Sequence, residues 1–561
     1  MAELPTFPDE FGLGDSCLFD RLREGRGDRV CVRFGDRAWS YAEVADRARA
    51  LARFLVDDGL AAEERVYIVL PDVPPFAWSI FGVLAAGGVV TMGNPLAPPA
   101  DLAAVLAYVR ARVLITTPAV AAALAAHREE LPALRTVLVT ADAGSDDDPE
   151  APVSPPPLGT RDLGAALAAG AASTTPLPTP RRDDHAVWLF TSGSTGVPKA
   201  AMHSHRDFAF NTEVFAKRTM GLTEDDVTLS VPRLFFGYAT GTNLWFPMAV
   251  GGTACLFSER PTAETLLANI ERHRPTIVTN VPTMLGKLLE LDDARRIQGL
   301  PPVTMPSVRF HFSAGEALPE PLLRRFLERF GGAVYDGIGS AEMFHIYCSN
   351  RPGDVVPGTL GRAVAGYELR ILPEEATAPG EAPVPVGEIG VLWVRGDSVA
   401  HGYYGDRAKS WRTFCGHWCR TGDLFRLDGD GYLTFAGRAD DLLKVGGVFV
   451  APREVEDCLL EHPAVAACSV IAMDDGGLHK PKGVVVVRPE ARARLTDPGA
   501  LATELQAHVR ARLTRYKFPR AIAFVDELPK NDRGKVDRKA LAAREAAGEL
   551  PGHAWVGEGG A

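Results

Sequence analysis

Residues 191–199 combine four hydroxyl side chains, two glycines and a terminal lysine, directly after an apolar run at residues 187–190. Glycines let the backbone approach a ligand, hydroxyl groups and exposed amides bond phosphate oxygens, and Lys199 can offset their charge. The pattern differs from the nucleotide-hydrolase loop, because Lys199 does not follow a glycine and precedes Ala200. The spacing therefore predicts a phosphate-binding loop, with a flexible surface loop as the alternative.

The chain around this loop has the pattern of an α/β protein. Between residues 40 and 115, helical stretches rich in Ala and Leu alternate with short β-branched runs at 66–70 and 113–115. Such runs are typical of strands buried in a largely parallel sheet. The alternation resumes at residues 186–190, 276–279 and 308–312. Residues 141–182, rich in Pro, Ala and Asp, predict a solvent-exposed loop with one weak helix near 163–169.

The pattern of strand and helix signals changes in the second part of the chain. Strand-and-turn units at residues 389–394 and 431–435 predict a small β-rich subdomain, and a compact α+β pattern follows. A chain of 561 residues is too long for one ordinary core. We predict an α/β fold with a large N-terminal domain of mostly parallel sheets at residues 1–439. A small, mobile α+β domain is expected at residues 440–561.

Composition limits the classes of partner and the compartment that are expected for this protein. A net charge of −11 argues against nucleic acid or an anionic membrane as the main partner. Eight irregularly spaced cysteines and the absence of a recognisable signal sequence favour the cytoplasm. The uncharged stretch at residues 73–100 is interrupted by prolines and glycines, so a buried helix at 76–86 and a strand at 89–92 are preferred to a membrane span.

Residues 191–199 closely resemble the phosphate loop of the adenylate-forming superfamily, which includes acyl-CoA synthetases, peptide-synthetase adenylation domains and luciferases. Motifs similar to the others of this superfamily follow in its order at residues 313–319, 335–342, 421–423, 437–438 and 528–538. Several motifs in order are more specific than any one of them. The resemblance implies that a carboxylic acid is joined to AMP from ATP, with magnesium, and that its acyl group then passes to coenzyme A.

The resemblance also implies a role for particular residues. Those expected to bind ATP or AMP are Thr191, Ser192, Gly193, Ser194, Thr195, Gly196, Ala314, Gly315, Glu316, Asp336, Gly337, Ile338, Asp423 and Arg438. Lys199, Glu342 and Lys535 are the expected catalytic residues, with Glu342 holding the metal. Lys535 would be carried by the small domain, which rotates about Asp440. Because the reaction brings two anions together, fixed cations must offset the charge of the transition state.

One position departs from the superfamily pattern. The residue before the magnesium glutamate is usually Thr, whereas this chain has Ala341. Either Ser340 or a water molecule supplies the missing hydroxyl, or adenylation is slower than usual.

Residues 234–247 and 337–346 resemble the benzoate-CoA ligase branch of the superfamily. The resemblance implies an acid pocket formed by Gly237, Tyr238, Gly339, His345 and Ile346. An aromatic acid suits these residues, because Tyr238 offers a flat face and the two glycines leave room for a ring. His345 orients the carboxylate or a ring substituent, or is a structural histidine. The lack of an obvious acidic partner for an ammonium group counts against amino acids.

For the second half-reaction, Lys444, Gly446 and Gly447 are the predicted CoA-binding residues, since glycines let a pantetheine arm pass close to the backbone. The predicted function is an ATP-dependent aryl-CoA ligase for benzoate, 2-aminobenzoate or a hydroxybenzoate. One alternative is an aryl-acid adenylating enzyme that loads a carrier protein, and another is a silent nucleotide-binding relative. A monomer or a homodimer is expected.

Overall fold

The computed structural model describes residues 3–140, 159–191, 198–316, 318–438, 443–445, 448–450, 452–475, 478–493, 495, 497–514, 517–530 and 536–554. The chain forms two compact units. The first contains Met1–Leu369, Thr377–Pro379 and Trp393–Arg420. The second contains Arg370–Ala376, Gly380–Leu392 and Thr421–Ala561. The predicted domain boundary at residues 439 and 440 stays a prediction.

The strands of the described residues are β1 (Val30–Phe34), β2 (Arg37–Ser40), β3 (Arg65–Val69), β4 (Val89–Met92), β5 (Val113–Thr116), β6 (Thr136–Val139), β7 (Arg161–Asp162), β8 (His185–Thr191), β9 (Lys199–Ser204), β10 (Val227–Ser230), β11 (Thr253–Leu256), β12 (Ile277–Asn280), β13 (Phe310–Ser313), β14 (Val334–Gly339), β15 (Ile346–Ser349), β16 (Arg362–Ala363), β17 (Glu368–Leu372), β18 (Ile389–Arg395), β19 (Phe414–Cys415), β20 (Trp418–Leu427), β21 (Leu433–Arg438), β22 (Leu443–Val445), β23 (Val448–Val450), β24 (Val465–Asp475), β25 (Leu478–Val487), β26 (Ala521–Phe524) and β27 (His553–Ala554).

The α-helices of the same residues are α1 (Asp20–Arg23), α2 (Tyr41–Asp57), α3 (Pro74–Ala85), α4 (Pro99–Val109), α5 (Pro118–Leu124), α6 (Leu163–Ala172), α7 (His205–Asn211), α8 (Gly237–Thr240), α9 (Phe246–Val250), α10 (Ala263–His273), α11 (Pro282–Ile297), α12 (Glu320–Phe330), α13 (Arg407–Thr413), α14 (Pro452–Leu460), α15 (Pro489–Arg492), α16 (Pro498–Arg512) and α17 (Arg538–Ala546). Other helical turns are Asp15–Phe19, Ala125–Glu130, Thr212–Thr219, Gly241–Trp245 and Ala341–Met343.

Two mostly parallel sheets organise the first unit. Among the described residues, one sheet has seven strands in the order β7-β6-β5-β3-β4-β8-β9, of which β9 alone is antiparallel to its neighbour. The other has nine strands in the order β16-β15-β14-β13-β12-β10-β11-β1-β2, and its pairs from β14 to β1 are parallel. Strands such as β5 and β12 are buried along their whole length. The predicted α/β class is confirmed.

Helix α3 lies in the uncharged stretch at residues 73–100. Two prolines occupy its first turn, where a missing N–H costs nothing, and its residues from Pro74 to Leu84 are buried. At Gly82, an added Cβ would lie 2.9 Å from the Cβ of Leu51 in α2, so the two helices pack closely. Within the described residues, no helix combines the length and apolarity needed to cross a bilayer.

The weak helix predicted near residues 163–169, within the predicted surface loop at 141–182, is confirmed as α6, and most residues at 159–182 are exposed or half-buried. Residues 141–158 lie outside the described part. Helix α6 packs against α2, and a Cβ added at Gly170 would lie 1.8 Å from the Ala50 carbonyl oxygen. Small Ala and Gly side chains let the two backbones meet. The same composition that indicates a loop therefore serves a close helix–helix contact.

The second unit contains a smaller α+β fold. Strand β24 pairs antiparallel with β25, which pairs in parallel with β26, and β27 completes a four-stranded sheet of the described residues. Helices α14 and α16 share an apolar core with this sheet through Val455, Leu459, Leu505, Val485 and Ile522. The smaller C-terminal domain expected from the sequence is confirmed.

Candidate active site

The carboxyl ends of neighbouring parallel strands β10, β12, β13 and β14 meet at one edge of the nine-stranded sheet. Asn280 at the end of β12 pairs in register with Ser313 at the end of β13, and Ser313 pairs with Asp336 in β14. Ligands of open α/β sheets bind at this edge, where the segments after the strands converge. The residues predicted to bind adenine and the acid lie in β14 or follow β10, β13 and β14.

The predicted nucleotide residues Ala314, Gly315, Glu316 and Asp336 come together here. Ala314 is buried, Gly315 has φ +87°, and Glu316 accepts a hydrogen bond from the Thr283 hydroxyl at 2.9 Å. Asp336 is buried and accepts a hydrogen bond from the Ser313 hydroxyl at 2.7 Å. The loop after β13 is thus tied to β14 and to the start of α11.

The next two predicted nucleotide residues, Gly337 and Ile338, continue β14. A Cβ at Gly337 would lie 2.9 Å from the Cys348 carbonyl oxygen of the antiparallel neighbour β15. This glycine is therefore required by the closeness of the two strands. Ile338 pairs in register with Cys348.

The hairpin of β8 and β9 carries the base of the predicted phosphate loop. Thr191 pairs in register with Lys199, so both ends of the loop are held side by side. The Nζ atom of Lys199 lies 5.9 Å from the ring centroid of Tyr403. Ser192, Gly193, Ser194, Thr195 and Gly196 lie outside the described residues.

Glu342 lies in a short helical turn, Ala341–Met343, which we call the glutamate turn. The hydroxyl of Tyr403 donates a hydrogen bond to Oε1 of Glu342 at 2.7 Å, and Oε2 has no hydrogen-bond partner among the described residues. Carboxylate oxygens are the ligands that magnesium prefers, and magnesium needs only one or two of them beside phosphate and water. The donor chemistry of Glu342 therefore fits the magnesium ion that the resemblance implies.

Ala341, at the position where threonine is usual, is held by a hydrogen bond to its backbone carbonyl. Nε2 of the fully buried His203 donates to the Ala341 carbonyl oxygen at 2.7 Å, and Nδ1 of His203 lies 3.2 Å from Asp207. The Ser340 hydroxyl oxygen is buried and has no hydrogen-bond partner among the described residues. Whether Ser340 replaces the missing threonine hydroxyl stays a prediction.

The five predicted acid-pocket residues form one cluster in the first unit. His345 Nε2 donates to the Tyr238 carbonyl oxygen at 3.0 Å, and the two rings lie 5.6 Å apart between centroids. A Cβ at Gly339 would lie 2.4 Å from the His345 carbonyl oxygen, and one at Gly237 would lie 2.9 Å from Leu189. Both glycines are therefore required by the packing of the chain itself, and the idea that they also leave room for a ring stays a prediction. Ile346 is buried next to His345, in β15.

His345 is part of an aromatic cluster. Its ring is 4.6 Å from that of Phe246 and 5.8 Å from that of Phe215, and Gly241 is so close that a Cβ there would lie 2.3 Å from the imidazole. Burial lowers the pKa of His345 to about 4. The imidazole is therefore neutral at physiological pH. Because Nε2–H serves the Tyr238 carbonyl, Nδ1 is the bare nitrogen, and it is buried without a partner among the described residues.

The direction of His345 is set by the unusual backbone of Phe344. Phe344 has φ +65° and ψ −58°, and the His345 amide donates to the Met343 carbonyl oxygen at 2.9 Å. This is a tight turn of three residues that is rare for a side chain with Cβ and costs on the order of 1–3 kcal/mol. The Phe344 ring stacks on Phe208 with centroids 3.6 Å apart, which helps to hold the turn.

In the second unit, Asp423 and Arg438 lie opposite each other. They are register partners in the antiparallel pair β20 and β21. The Asp423 amide donates to the Thr421 hydroxyl at 3.2 Å, across Gly422 with φ +76°. The structure therefore brings together the two residues expected at the ribose.

The remaining predicted residues are those expected at the CoA arm and the hinge, and the catalytic lysine. Lys444 belongs to β22, where its register partner is Phe449. Gly446, Gly447, Asp440 and Lys535 lie outside the described residues.

The sequence predictions missed three residues that shape this site. His203 and Tyr403 contact the glutamate turn from positions 138 and 61 residues away in the chain. Gly241 leaves the space that the His345 ring fills. A signal existed for His203, since it lies four positions after Lys199 in a strand that is otherwise largely apolar.

Two family models match this chain. The family model described as AMP-binding enzyme matches residues 19–404, and the model of the AMP-binding enzyme C-terminal domain matches residues 454–535. The chain belongs to the AMP-binding enzymes, that is, to the adenylate-forming superfamily and its benzoate-CoA ligase branch. Its class is that of an AMP-forming acid–CoA ligase.

Particular relatives are similar over nearly their whole length. A benzoate–CoA ligase of Thauera aromatica is 37% identical over 536 residues, which cover 95% of this chain and 96% of that protein. The structure of the anthranilate CoA ligase AuaEII in complex with anthranoyl-AMP has a TM-score of 0.85 and 33% identity, covering 97% of this chain and 99% of that one. A benzoate CoA ligase structure from Burkholderia xenovorans LB400 has a TM-score of 0.81 and 35% identity, covering 95% and 99%. These matches confirm the predicted superfamily, branch and fold class.

Proposed function

We propose that this chain converts benzoate, or a benzoate with an amino or hydroxyl substituent, into its CoA thioester by way of an acyl-AMP. The observation that carries the proposal is the aromatic cluster of Tyr238, His345 and Phe246 at the carboxyl edge of the sheet. Flat side chains favour a flat ligand. The similarity to benzoate– and anthranilate–CoA ligases supports the same class of acid.

Within the pocket, His345 serves as a neutral, fixed wall. A pKa of about 4, lowered by burial, leaves no positive charge on the imidazole to attract a carboxylate near neutral pH. Its hydrogen bond to the Tyr238 carbonyl fixes the segment from which the Tyr238 ring projects. Of the two predicted roles, the structural one is therefore favoured, and the acid carboxylate is offset by cations elsewhere.

In the first half-reaction, the carboxylate attacks the α-phosphorus of ATP and pyrophosphate leaves. Thr191 and Lys199, with the loop between them, would hold the phosphates, and Ala314, Gly315, Glu316 and Asp336 would form the adenine side. Magnesium, which Glu342 would hold, offsets phosphate charge when it is bound. Lys535 would supply a further cation to the transition state, and Asp423 and Arg438 would bind the ribose.

In the second half-reaction, the CoA thiolate attacks the acyl carbonyl and AMP leaves. Lys444, Gly446 and Gly447 are proposed to guide the pantetheine arm, after the small domain has rotated about Asp440. Closure of this kind exchanges one set of catalytic groups for another at a single substrate site.

The test is pyrophosphate release with ATP and magnesium, measured for benzoate, its amino and hydroxy derivatives, fatty acids and amino acids, each with and without CoA. We expect turnover with an aromatic acid that depends on CoA and yields the thioester. Release that depends on an aromatic acid without thioester formation would point to a carrier protein as acceptor. No release with any of these acids would refute the proposed function.

A further inference from the structure

The glutamate turn is fixed by hydrogen bonds from two distant segments. The Ala341 carbonyl accepts from His203, the Glu342 carbonyl accepts from the Ala400 amide at 2.8 Å, and the Met343 carbonyl accepts from the Ser398 hydroxyl at 2.9 Å. Each backbone carbonyl of the turn therefore has a partner. The peptide that carries Glu342 has little freedom to shift.

The side chain of Glu342 is held by the segment that also contains Ser398 and Ala400. Tyr403 donates its hydroxyl to Oε1 at 2.7 Å, and the Tyr403 side chain is itself fixed, with its residue 6% exposed and its ring 5.2 Å from that of Phe414. The backbone of Tyr403 bridges to Ala201 in β9. The hydroxyl is thus presented by rigid structure, and one oxygen of the carboxylate remains for another ligand.

Tyr403 also lies beside the phosphate loop. The Nζ atom of Lys199 is 5.9 Å from the Tyr403 ring centroid, a distance at which an ammonium group is attracted to an aromatic face. One residue therefore contacts the metal-binding glutamate and approaches the lysine of the phosphate loop.

We propose that Tyr403 is a positioning residue, which orients the Glu342 carboxylate so that Oε2 is ready to bind the divalent cation of the cation–ATP complex. The inference rests on the proposed function, because it assumes that Glu342 binds this cation. Partners that orient a metal ligand typically contribute about 10–100-fold in metal affinity. Loss of the Tyr403 hydroxyl should therefore weaken cation binding by a factor of this order.

The experiment measures Mn²⁺ binding to the full-length enzyme in the presence of ATP, by the loss of the free Mn²⁺ signal in electron paramagnetic resonance beyond the loss that the same concentration of ATP causes without enzyme. Tyr403→Phe removes one oxygen and keeps the ring. Tyr404→Phe is the matched control, since it removes the same atom from the next residue. We expect a dissociation constant for Mn²⁺ that is raised about 10–100-fold in Tyr403→Phe and unchanged in Tyr404→Phe.

A second variant and a second background complete the test. If Tyr403→Phe does not fold, Ser398→Ala is used in its place. It loosens the glutamate turn without touching Tyr403 and should also weaken Mn²⁺ binding. In a Glu342→Gln background, Tyr403→Phe should have no further effect on Mn²⁺ affinity.

Two outcomes would overturn the inference while the proposed function stands. One is wild-type Mn²⁺ affinity in folded Tyr403→Phe. The other is an equal effect of Tyr403→Phe in the presence and absence of the Glu342 carboxylate. If the unaltered enzyme bound no cation with ATP and released no pyrophosphate, the proposed function itself would fail, and the inference with it.

Discussion

Replacing Gly241 by alanine tests the packing on which the acid pocket depends. The added Cβ would lie 2.3 Å from Cδ2 and 2.4 Å from Nε2 of His345, well inside van der Waals contact. The backbone at Gly241 is helical, with φ −62°, so alanine is compatible with the local conformation. To accept the methyl group the imidazole has to move, which breaks its 3.0 Å hydrogen bond to the Tyr238 carbonyl.

The magnitude follows from these contacts. Overpacking a buried site costs about 1–3 kcal/mol, and leaving a buried carbonyl without its donor costs about 1–3 kcal/mol more. Alanine gains about 1 kcal/mol over glycine in a helix. We expect Gly241→Ala to lower the free energy of unfolding by about 1–5 kcal/mol. Because a displacement of about 1 Å can cost up to 10²-fold, kcat/KM for the acid should fall by about 10–100-fold while KM for ATP stays unchanged.

The assay combines urea unfolding with pyrophosphate release at varied acid and varied ATP. Gly286→Ala in α11 is the control, since its Cβ would meet only Leu322, at 3.9 Å. It should gain about 1 kcal/mol from helical propensity and leave the kinetics unchanged. In a His345→Ala background the clash is absent, so Gly241→Ala should no longer be destabilising. Equal behaviour of Gly241→Ala and Gly286→Ala would refute the reasoning.

Three further predictions concern the reaction and the stability of the fold. Lys535→Ala should slow acyl-AMP formation by about 10²–10³-fold but leave thioester formation from supplied acyl-AMP largely intact. Lys530→Ala is its control, and undiminished adenylation by Lys535→Ala would contradict the assigned role. Ala341→Thr should raise the rate of adenylation by about 10-fold or more, because a hydrogen bond to a charged group contributes about 1.5–3 kcal/mol; an unchanged or lower single-turnover rate would argue that another group already supplies this contact. Burial lowers the pKa of His311 and His345 to about 4, below the ordinary value of 6.5. The unfolded state therefore binds more protons between these values, and the free energy of unfolding should decrease as the pH is lowered from 6.5 towards 4. Urea unfolding across this range measures the change, and a rise on acidification would show that other groups dominate.

The sequence predicts the elements of the first unit well where burial determines both composition and structure. The apolar runs at residues 66–70, 113–115 and 187–190 lie within β3, β5 and β8, shifted by at most a residue or two at their ends. The preferred helix and strand at residues 76–86 and 89–92 correspond to α3 and β4. Local patterns suffice here because strands that are buried on both faces have few alternatives.

The sequence is less informative where a residue acts through distant neighbours. Nothing in the local pattern of Tyr403 indicates that its hydroxyl reaches Glu342, 61 positions earlier in the chain. The glycines at 237 and 339 are recognisable as special, but whether the space serves a ligand or the chain itself depends on tertiary contacts. Helix α6 is predicted only as a weak helix for the same reason, since its small side chains stabilise it mainly through close packing against α2.

The turn at Phe344 has a consequence for altering the acid specificity of this enzyme. The strained backbone that aims His345 is accompanied by the stack of Phe344 on Phe208, a residue of α7. A change of volume at Phe208 would therefore act on His345, in the wall of the proposed acid pocket, through the single peptide unit that joins His345 to Phe344. A substitution at Phe208 would then change the range of acids accepted without any contact between Phe208 and the acid. A search for altered selectivity that is restricted to pocket residues would overlook this position.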